Sequence, residues 1–309
     1  MASLIGTITN SSISSANYTI VAPISMVFAF IAIVIAFFIL ILVSTTKQLH
    51  TVSHLLTCNT CLSSILYCIV QCNNYIYLLF IPSNTSDVSC RWRGYFGYTS
   101  IVAVIYSYLL QAISRLFFTI LSVKYRWITS FEIHFYMICI SWILVFSISL
   151  PAILTHDIYF REGFLCWIPK KYMLHVIYTI IMYYLIPIFL IILIYVLIYR
   201  YIHYRVGNNL IVQNNIKRKN RDFEVFRNII ILFSIYILGA VPSTCYMLTG
   251  IELFYSIGII SVSFAVMVEK FVSLLIDRDI RNILKKHFCH RKTRVTPIRV
   301  HIGTVAQKM

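Results

Sequence analysis

Seven long apolar runs, separated by short polar segments, form the dominant pattern of the chain. They cover residues 21–44, 54–80, 94–123, 134–154, 173–199, 228–250 and 253–276. A hydrocarbon core about 30 Å thick is crossed by about 20 apolar residues in an α-helix, and each run is long enough to do so. Barrel strands are shorter, about 10 residues, and alternate apolar with polar positions. The pattern therefore predicts an all-α membrane protein with a bundle of seven transmembrane helices.

The composition agrees with this pattern. Of the 309 residues, 60% are hydrophobic and 12% are charged, whereas soluble proteins carry about 25% charged residues. An ordinary water-soluble enzyme, a disordered protein and a disulfide-rich secreted module are therefore excluded.

The first 20 residues carry no charge, so we expect no cleaved signal peptide, because such a signal begins with basic residues. The predicted organisation is an extracellular segment (1–20), the transmembrane domain (21–276), a short amphipathic eighth helix (277–290) and a cytoplasmic tail (291–309).

The basic residues predict the orientation. Nineteen lysines and arginines fall in the tail and in the loops after helices one, three and five, against five on the opposite side. This bias predicts a cytoplasmic C-terminus and an extracellular N-terminus, and we expect a multi-pass protein of the plasma membrane. The glycosylation sequons at Asn10, Asn17 and Asn84 all fall on the predicted outer side, although chance occurrence in Asn/Ser-rich loops is the alternative. The net charge of +16 then reflects contact with the lipid bilayer, and we expect no nucleic-acid partner.

The nine cysteines divide by predicted compartment. Cys90 and Cys166 alone lie on the oxidising outer side, which suggests a bridge between them; two free thiols are the alternative. Cys58 and Cys61 have CxxC spacing but lie in an apolar run without a nearby histidine or acid, so we interpret them as packing residues rather than a metal or redox site. Cys289 follows the last helix and is a candidate palmitoylation site.

Several predicted helices contain a charged residue or a proline at a position that is informative about function. Arg115 follows Cys90 by 25 residues, which is about 37 Å of helix, so the two lie at opposite ends of the third helix. Pro187 and Pro242 lie inside helices five and six, where proline kinks a helix and frees carbonyl groups. Residues 279–288 form an amphipathic stretch that we expect along the inner membrane surface.

This combination resembles the rhodopsin-like family of G-protein-coupled receptors, over about residues 21–290. In that family an outer cysteine of helix three bridges to the second extracellular loop, as Cys90 and Cys166 would. The family's Asp-Arg-Tyr triplet falls on Ser114-Arg115-Leu116. Further matching positions are Trp142 in helix four, Pro187 and Tyr195 in helix five, and Pro242 in helix six. Tyr236 stands six residues before Pro242, where the family usually has phenylalanine.

The chain departs from the family's motifs at other positions. Ala36 stands at the position of the family's helix-one asparagine, and Ser64 stands at the position of its helix-two aspartate. In helix six, the family's Cys-Trp-x-Pro motif is replaced by Gly239-Ala240-Val241-Pro242. In helix seven, its Asn-Pro-x-x-Tyr motif is replaced by Glu269-Lys270-Phe271-Val272-Ser273. The resemblance therefore rests on spacing and topology together.

The resemblance implies a receptor that couples an unknown extracellular ligand to a heterotrimeric G protein, with helix six as the moving element. Arg115 would pair at rest with Asp222, or with Glu224 in reserve; the alternative is that Arg115 extends to lipid head groups. Tyr195 would turn inward to stabilise Arg115 in the active state, unless it is an interfacial tyrosine. Glu269 is the acid expected to face the bundle.

Adjacent helical residues point about 100° apart, so Glu269 and Lys270 are expected not to face each other, with Lys270 extending inward. Gly97 stands where amine receptors have the aspartate that binds the amine. Ser263 stands where opsins have the lysine that binds retinal. The resemblance therefore implies a neutral small molecule or a peptide as ligand. The implied ligand pocket comprises Gly97, Ile101, Ser243, Thr244, Met247, Ile259 and Ser263.

A transporter or channel with seven helices is the alternative function, although transporters usually contain internal repeats and we find none. We expect no enzyme activity, metal or cofactor, because the apolar runs hold too few acids and histidines for a catalytic or metal centre. His54, His134 and His175 lie near the ends of the runs and are expected at the membrane interface.

Overall fold

A computed structural model of the chain describes the backbone of residues 2–80, 86–121, 125–161, 164–208 and 213–290. Side chains are described for residues 19–80, 86–121, 125, 127–161, 164–203 and 227–285. Within this part, seven helices are long and apolar enough to cross a membrane. The predicted seven-helix membrane bundle is confirmed.

Each predicted run corresponds to one helix, although the first and sixth helices begin 19 and 15 residues before their runs. In chain order they are α1 (Ala2–Thr45), α2 (Val52–Phe80), α3 (Asp87–Thr119), α4 (Phe131–Ser149, continued by a short turn at Pro151–Leu154), α5 (Met173–Thr179, then Ile180–Leu185 and Ile186–Asn208), α6 (Gln213–Thr249), α7 (Glu252–Ile276) and α8 (Arg278–His290). Short 3-10 turns at Lys47–Leu49 and Arg126–Thr129 lie in the connections after α1 and α3.

Polar residues at the helix ends set the boundaries. The hydroxyl of Ser86 accepts a hydrogen bond from the backbone N–H of Ser89 at 3.2 Å and begins α3, and Ser130 begins α4 by accepting from Ile133. Such caps satisfy N–H groups that have no partner within the helix. Gly250 has a φ of +74° between α6 and α7, a conformation that glycine adopts without steric cost.

The fifth helix changes its winding just before its proline. Ile180–Leu185 is π-helical, and Pro187 follows it at the start of the next α-helical segment. Proline lacks a backbone N–H and its ring crowds the preceding turn, so the wider π turn accommodates the missing hydrogen bond. The predicted irregularity at Pro187 therefore takes the form of a π segment.

The core is formed by the inward faces of the helices around α3. Tyr108 of α3 is fully buried and lies against Phe233 of α6, with ring centroids 5.7 Å apart. Large apolar side chains such as Phe30, Ile143 and Phe189 are instead exposed. Outward-facing apolar side chains are expected where the surrounding solvent is lipid.

Asp277 lies between α7 and α8 and caps the start of α8. Its Oδ1 accepts hydrogen bonds from the backbone N–H groups of Asp279 and Ile280, at 3.0 and 3.1 Å. Burial raises the pKa of the Asp277 carboxyl, but the contact with His54 and these two N–H groups lower it more, so the pKa lies below its ordinary value. Ile280 and Ile283 of α8 are buried in a cluster with Ile39 and Leu49. The predicted amphipathic helix is present, and its apolar face packs on the bundle.

Candidate functional site

One end of the bundle carries a covalent link, and we refer to it as the disulfide end. Cys90, in the first turns of α3, is bonded to Cys166 in the connection between α4 and α5, with Cα atoms 5.3 Å apart. Gly94 lies one turn further along α3, where a Cβ would lie 2.6 Å from the carbonyl oxygen of Cys166 and 2.7 Å from Ile158 Cδ1. A side chain at position 94 would therefore push the connection away from α3. The suggested bridge is present.

The connection around Cys166 folds over the bundle as a roof segment (residues 164–168). The backbone N–H of Leu165 donates to the hydroxyl of Tyr255 at 2.7 Å, and that of Ile168 donates to the hydroxyl of Tyr98 at 3.0 Å. The ring of Trp167 packs edge-on against Tyr255, with centroids 5.6 Å apart. The roof segment is thus held on α3 and α7 by side chains as well as by the disulfide bond.

A cavity lies under the roof segment, and we call it the tyrosine crevice. It encloses about 520 Å³ when its open mouth is included. Its lining residues are Tyr67, Tyr75, Tyr98, Ile101, Trp167, Thr179, Tyr183, Tyr184, Tyr236, Ser243, Met247, Gly258, Ile259 and Val262. None of these fourteen lining residues is charged, and within the described side chains the buried Ser243 hydroxyl has no hydrogen-bond partner.

Four of the seven residues in the implied ligand pocket line this crevice, namely Ile101, Ser243, Met247 and Ile259. The other three lie outside its lining. The hydroxyl of Thr244 donates to the carbonyl of Ala240 at 3.1 Å, Ser263 contacts the Tyr75 hydroxyl at 3.5 Å, and Gly97 lies beside Asn74.

Of the six tyrosines of the crevice, the sequence singled out only Tyr236 among the 22 of the chain. One signal was available in α2. Tyr67, Gln71 and Tyr75 follow one another at intervals of four, which places them on one helical face. All three are buried, so polar residues at helical spacing mark the inner face of this span.

Two charged side chains meet in the interior of the bundle. Lys270 Nζ lies 3.0 Å from Glu269 Oε2, and the side chains are only 1% and 2% exposed. Lys270 Nζ also donates to the carbonyl oxygen of Thr60 on α2 at 3.4 Å. Glu269 faces the bundle as expected, but the expectation that the two neighbours do not face each other is wrong. The long lysine side chain bends back, because a buried charge in a membrane protein requires an opposite charge or a carbonyl group nearby.

The other end of α3 carries Arg115, and we refer to it as the arginine end. Arg115 is 9% exposed, and its Nη2 donates a hydrogen bond to the hydroxyl of Ser53 in the first turn of α2. The guanidinium is therefore buried between helices. The side chains of Asp222 and Glu224, its expected partners, lie outside the described residues. Tyr195 is half-buried and stacks on Tyr199.

Ser114, which stands at the position of the family's aspartate, joins α3 to α4. Its hydroxyl lies 2.9 Å from His134 Nε2, while His134 Nδ1 lies 2.9 Å from the carbonyl oxygen of Ser130. A carbonyl only accepts, so the neutral imidazole carries its proton on Nδ1, and Nε2 accepts from Ser114.

The three histidines expected at the membrane interface lie in the first turns of their helices, and their side chains are buried within the protein. His54, His134 and His175 are 4%, 0% and 6% exposed. His175 Nδ1 lies 2.8 Å from Asp157 Oδ2, and His54 Nε2 lies 3.5 Å from Asp277 Oδ2. Polar partners from neighbouring segments explain why these side chains turn inward rather than toward lipid head groups.

The modification sites fall where the structure gives no side-chain description. The side chains of Asn10, Asn17 and Cys289 lie outside the described residues, although their backbones belong to α1 and α8. Asn84 and the tail over 291–309 lie outside the described residues altogether.

The family model described as the seven-transmembrane receptor of the rhodopsin family matches residues 18–269. This chain belongs to that receptor family. The match includes all seven spanning helices down to Glu269 and both ends of α3. Among curated proteins, none matches the receptor, so its ligand and its intracellular partner are inferred below from the geometry of its two ends.

Proposed function

We propose that this receptor binds a ligand from outside the cell at its disulfide end and activates a heterotrimeric G protein at its arginine end. The observation that supports this most directly is the continuity of α3 between the two ends. Tyr98 and Ile101 of α3 line the tyrosine crevice, and Arg115 lies near the other end of the same helix. Fourteen residues separate Ile101 from Arg115, which is about 21 Å of helix.

The proposed orientation places the N-terminus outside the plasma membrane and the C-terminus in the cytoplasm. It is supported by the excess of basic residues on the side of Arg115. It is also supported by the Cys90–Cys166 bond, because disulfide bonds persist on the oxidising side of a cell membrane.

We infer that the ligand is a neutral small molecule with an aromatic or apolar body and a hydrogen-bonding group. The lining of the crevice contains tyrosine, aliphatic and hydroxyl side chains without a charge, which is the chemistry of a site for a mostly apolar ligand. The unpartnered hydroxyl of Ser243 is suited to one polar group of the ligand. The roof segment covers the crevice, which favours a compact ligand over a peptide.

At rest, Arg115 is held by Ser53 and by a second partner, which is an acid of α6. This acid is Asp222 or, in reserve, Glu224. Activation moves the arginine end of α6 away, with Pro242 as the flexible point, and Tyr195 then stabilises the released Arg115. Such a change is a shift between two states that the ligand biases by binding one of them more tightly.

Nucleotide exchange on a panel of heterotrimeric G proteins, measured in membranes that contain the receptor, tests this proposal. Arg115→Ala is expected to abolish exchange while leaving surface display intact, and Arg281→Ala, an exposed position on α8, is the matched control. Unchanged exchange in the Arg115→Ala receptor would contradict the proposal. If Arg115→Ala abolished the uptake of a solute and left nucleotide exchange unchanged, the result would support a transporter.

A further inference from the structure

Three side chains of the kind that bind metal ions meet at the arginine end, where α2 begins and α7 passes into α8. They are His54, Asp277 and Asp279, and one ligand atom of each lies within 4.8 Å of the other two. His54 belongs to the first turn of α2, whereas the two aspartates flank the start of α8. The cluster therefore joins two segments that are distant in sequence.

The imidazole of His54 is held in place and directed into this cluster. It is 4% exposed, and its Nδ1 lies 2.7 Å from the hydroxyl of Thr51. When Nδ1–H donates to that hydroxyl, the lone pair of Nε2 is available to a metal ion placed between His54 and Asp277. Within the described residues, this buried Nε2 has no hydrogen-bond partner. A histidine fixed through one nitrogen, with the other available, is the usual arrangement of a metal ligand.

Asp277 is oriented as well. Its Oδ1 is occupied by the backbone N–H groups of Asp279 and Ile280, so Oδ2 is the oxygen that faces His54. The side chain of Asp277 is 28% exposed, and Asp279 is exposed. The cluster therefore has one buried wall, formed by His54, and one side open to solvent, through which an ion can enter with bound water.

The separation of His54 Nε2 and Asp277 Oδ2 fits a shared metal ion. With bonds of about 2.0–2.1 Å to nitrogen and oxygen, a tetrahedral zinc ion holds neighbouring ligand atoms about 3.4 Å apart. His54 Nε2 and Asp277 Oδ2 are 3.5 Å apart, which is long for a hydrogen bond between charged groups.

We propose that His54, Asp277 and Asp279 bind a Zn²⁺ ion that fastens the start of α8 to the start of α2. One imidazole with two carboxylates suits zinc, whereas Ca²⁺ and Mg²⁺ prefer oxygen ligands alone. The fourth position is left to water. Arg278 and Arg281 lie on the same helix and oppose the binding of a cation, so we expect micromolar rather than tighter affinity.

The site adjoins the arginine end directly. Ser53, the partner of Arg115, is the residue before His54. A metal ion on His54 therefore stabilises the first turn of α2 next to the hydrogen bond that holds Arg115. Zinc would act on the resting receptor through this turn, without contact with the tyrosine crevice.

Thermal unfolding of the purified full-length receptor in lipid nanodiscs, titrated with zinc chloride after removal of metals by a chelator, tests the site. Zinc is expected to raise the unfolding temperature of the natural receptor. Asp279→Asn and His54→Gln are each expected to require at least about tenfold more zinc for the same shift. Asp279 is exposed, so its variant folds even if the His54 variant does not. His50→Gln is the matched control, because His50 is exposed and lies outside the cluster.

Two results would overturn the proposal. One is the absence of any shift with zinc in the natural receptor. The other is an equal zinc requirement in the natural and Asp279→Asn receptors, which would mean that the ion binds at other histidines or cysteines. An equal shift with Mg²⁺ would overturn the assignment to zinc. The measurement concerns binding and stability, so its outcome does not depend on whether the receptor activates a G protein.

Discussion

Glu269 and Lys270 are neighbours on α7, and their side chains form an ion pair that is almost inaccessible to solvent, with Nζ and Oε2 3.0 Å apart. The ammonium group also donates to the carbonyl oxygen of Thr60, which belongs to α2. Two opposite charges that would each be very costly alone in this interior therefore form a neutral unit. The same contact joins α7 to α2 inside the bundle.

Removal of either charge is expected to destabilise the receptor strongly. Lys270→Met or Glu269→Gln leaves one buried charge without its partner, which costs about 3–5 kcal/mol. The double variant is expected to recover most of this loss, since replacing a whole buried pair is often close to neutral. Thermal unfolding of the purified receptor measures all three, with Lys171→Met, an exposed lysine, as the control. Additive losses in the double variant would argue against mutual compensation.

The close approach of α6 and α7 beside the tyrosine crevice depends on Gly258. A Cβ at this position would lie 2.5 Å from Ser243 Oγ and 2.9 Å from the Ser243 backbone nitrogen. Gly258→Ala is therefore expected to separate the two helices and to cost about 1–3 kcal/mol of stability. Gly97→Ala is the control, because its Cβ would meet nothing closer than Asn74 Nδ2 at 3.7 Å. Equal unfolding temperatures for the two variants would contradict this packing.

The fold could be predicted from the sequence because the thickness of a bilayer sets the length of each span. The seven runs, the short amphipathic helix and the pair Cys90 and Cys166 each depend on local pattern or on compartment. None requires knowledge of which helix faces lie together. These features are therefore readable one segment at a time.

The contacts of the site depend on helix rotation and on the order of the helices in space, which no single segment specifies. Ser53 as the partner of Arg115, and Asp277 beside His54, join residues that are distant in the sequence. Lys270 was misjudged because the usual rule on adjacent helical positions applies to short side chains, whereas its four-carbon chain reaches back to Glu269. The tyrosines of the crevice other than Tyr236 were not identified because the residue type is so common in this chain.

The disulfide bond is expected to contribute to stability through the length of chain that it closes. Cys90 and Cys166 are separated by 76 positions, and removal of such a link costs about 2–5 kcal/mol. Cys90→Ser and Cys166→Ser should reduce surface display to a similar extent, and the double variant should be no worse than either. Cys139→Ser, at an exposed free cysteine, should behave as the natural receptor. A mild effect of only one of the two substitutions would disagree with this expectation.

The hydrogen bond between Arg115 and Ser53 is expected to restrain the resting receptor. A hydrogen bond to a charged group contributes about 1.5–3 kcal/mol, so Ser53→Ala should shift the equilibrium toward the active state by about tenfold or more. The expected result is a rise of that order in ligand-independent nucleotide exchange, which Arg115→Ala added to the same receptor should remove. Ser63→Ala is the matched control, because the Ser63 hydroxyl bonds the carbonyl of Asn59 within α2. If Ser53→Ala left the baseline unchanged, or if Ser63→Ala raised it equally, Ser53 would not be the restraint on Arg115.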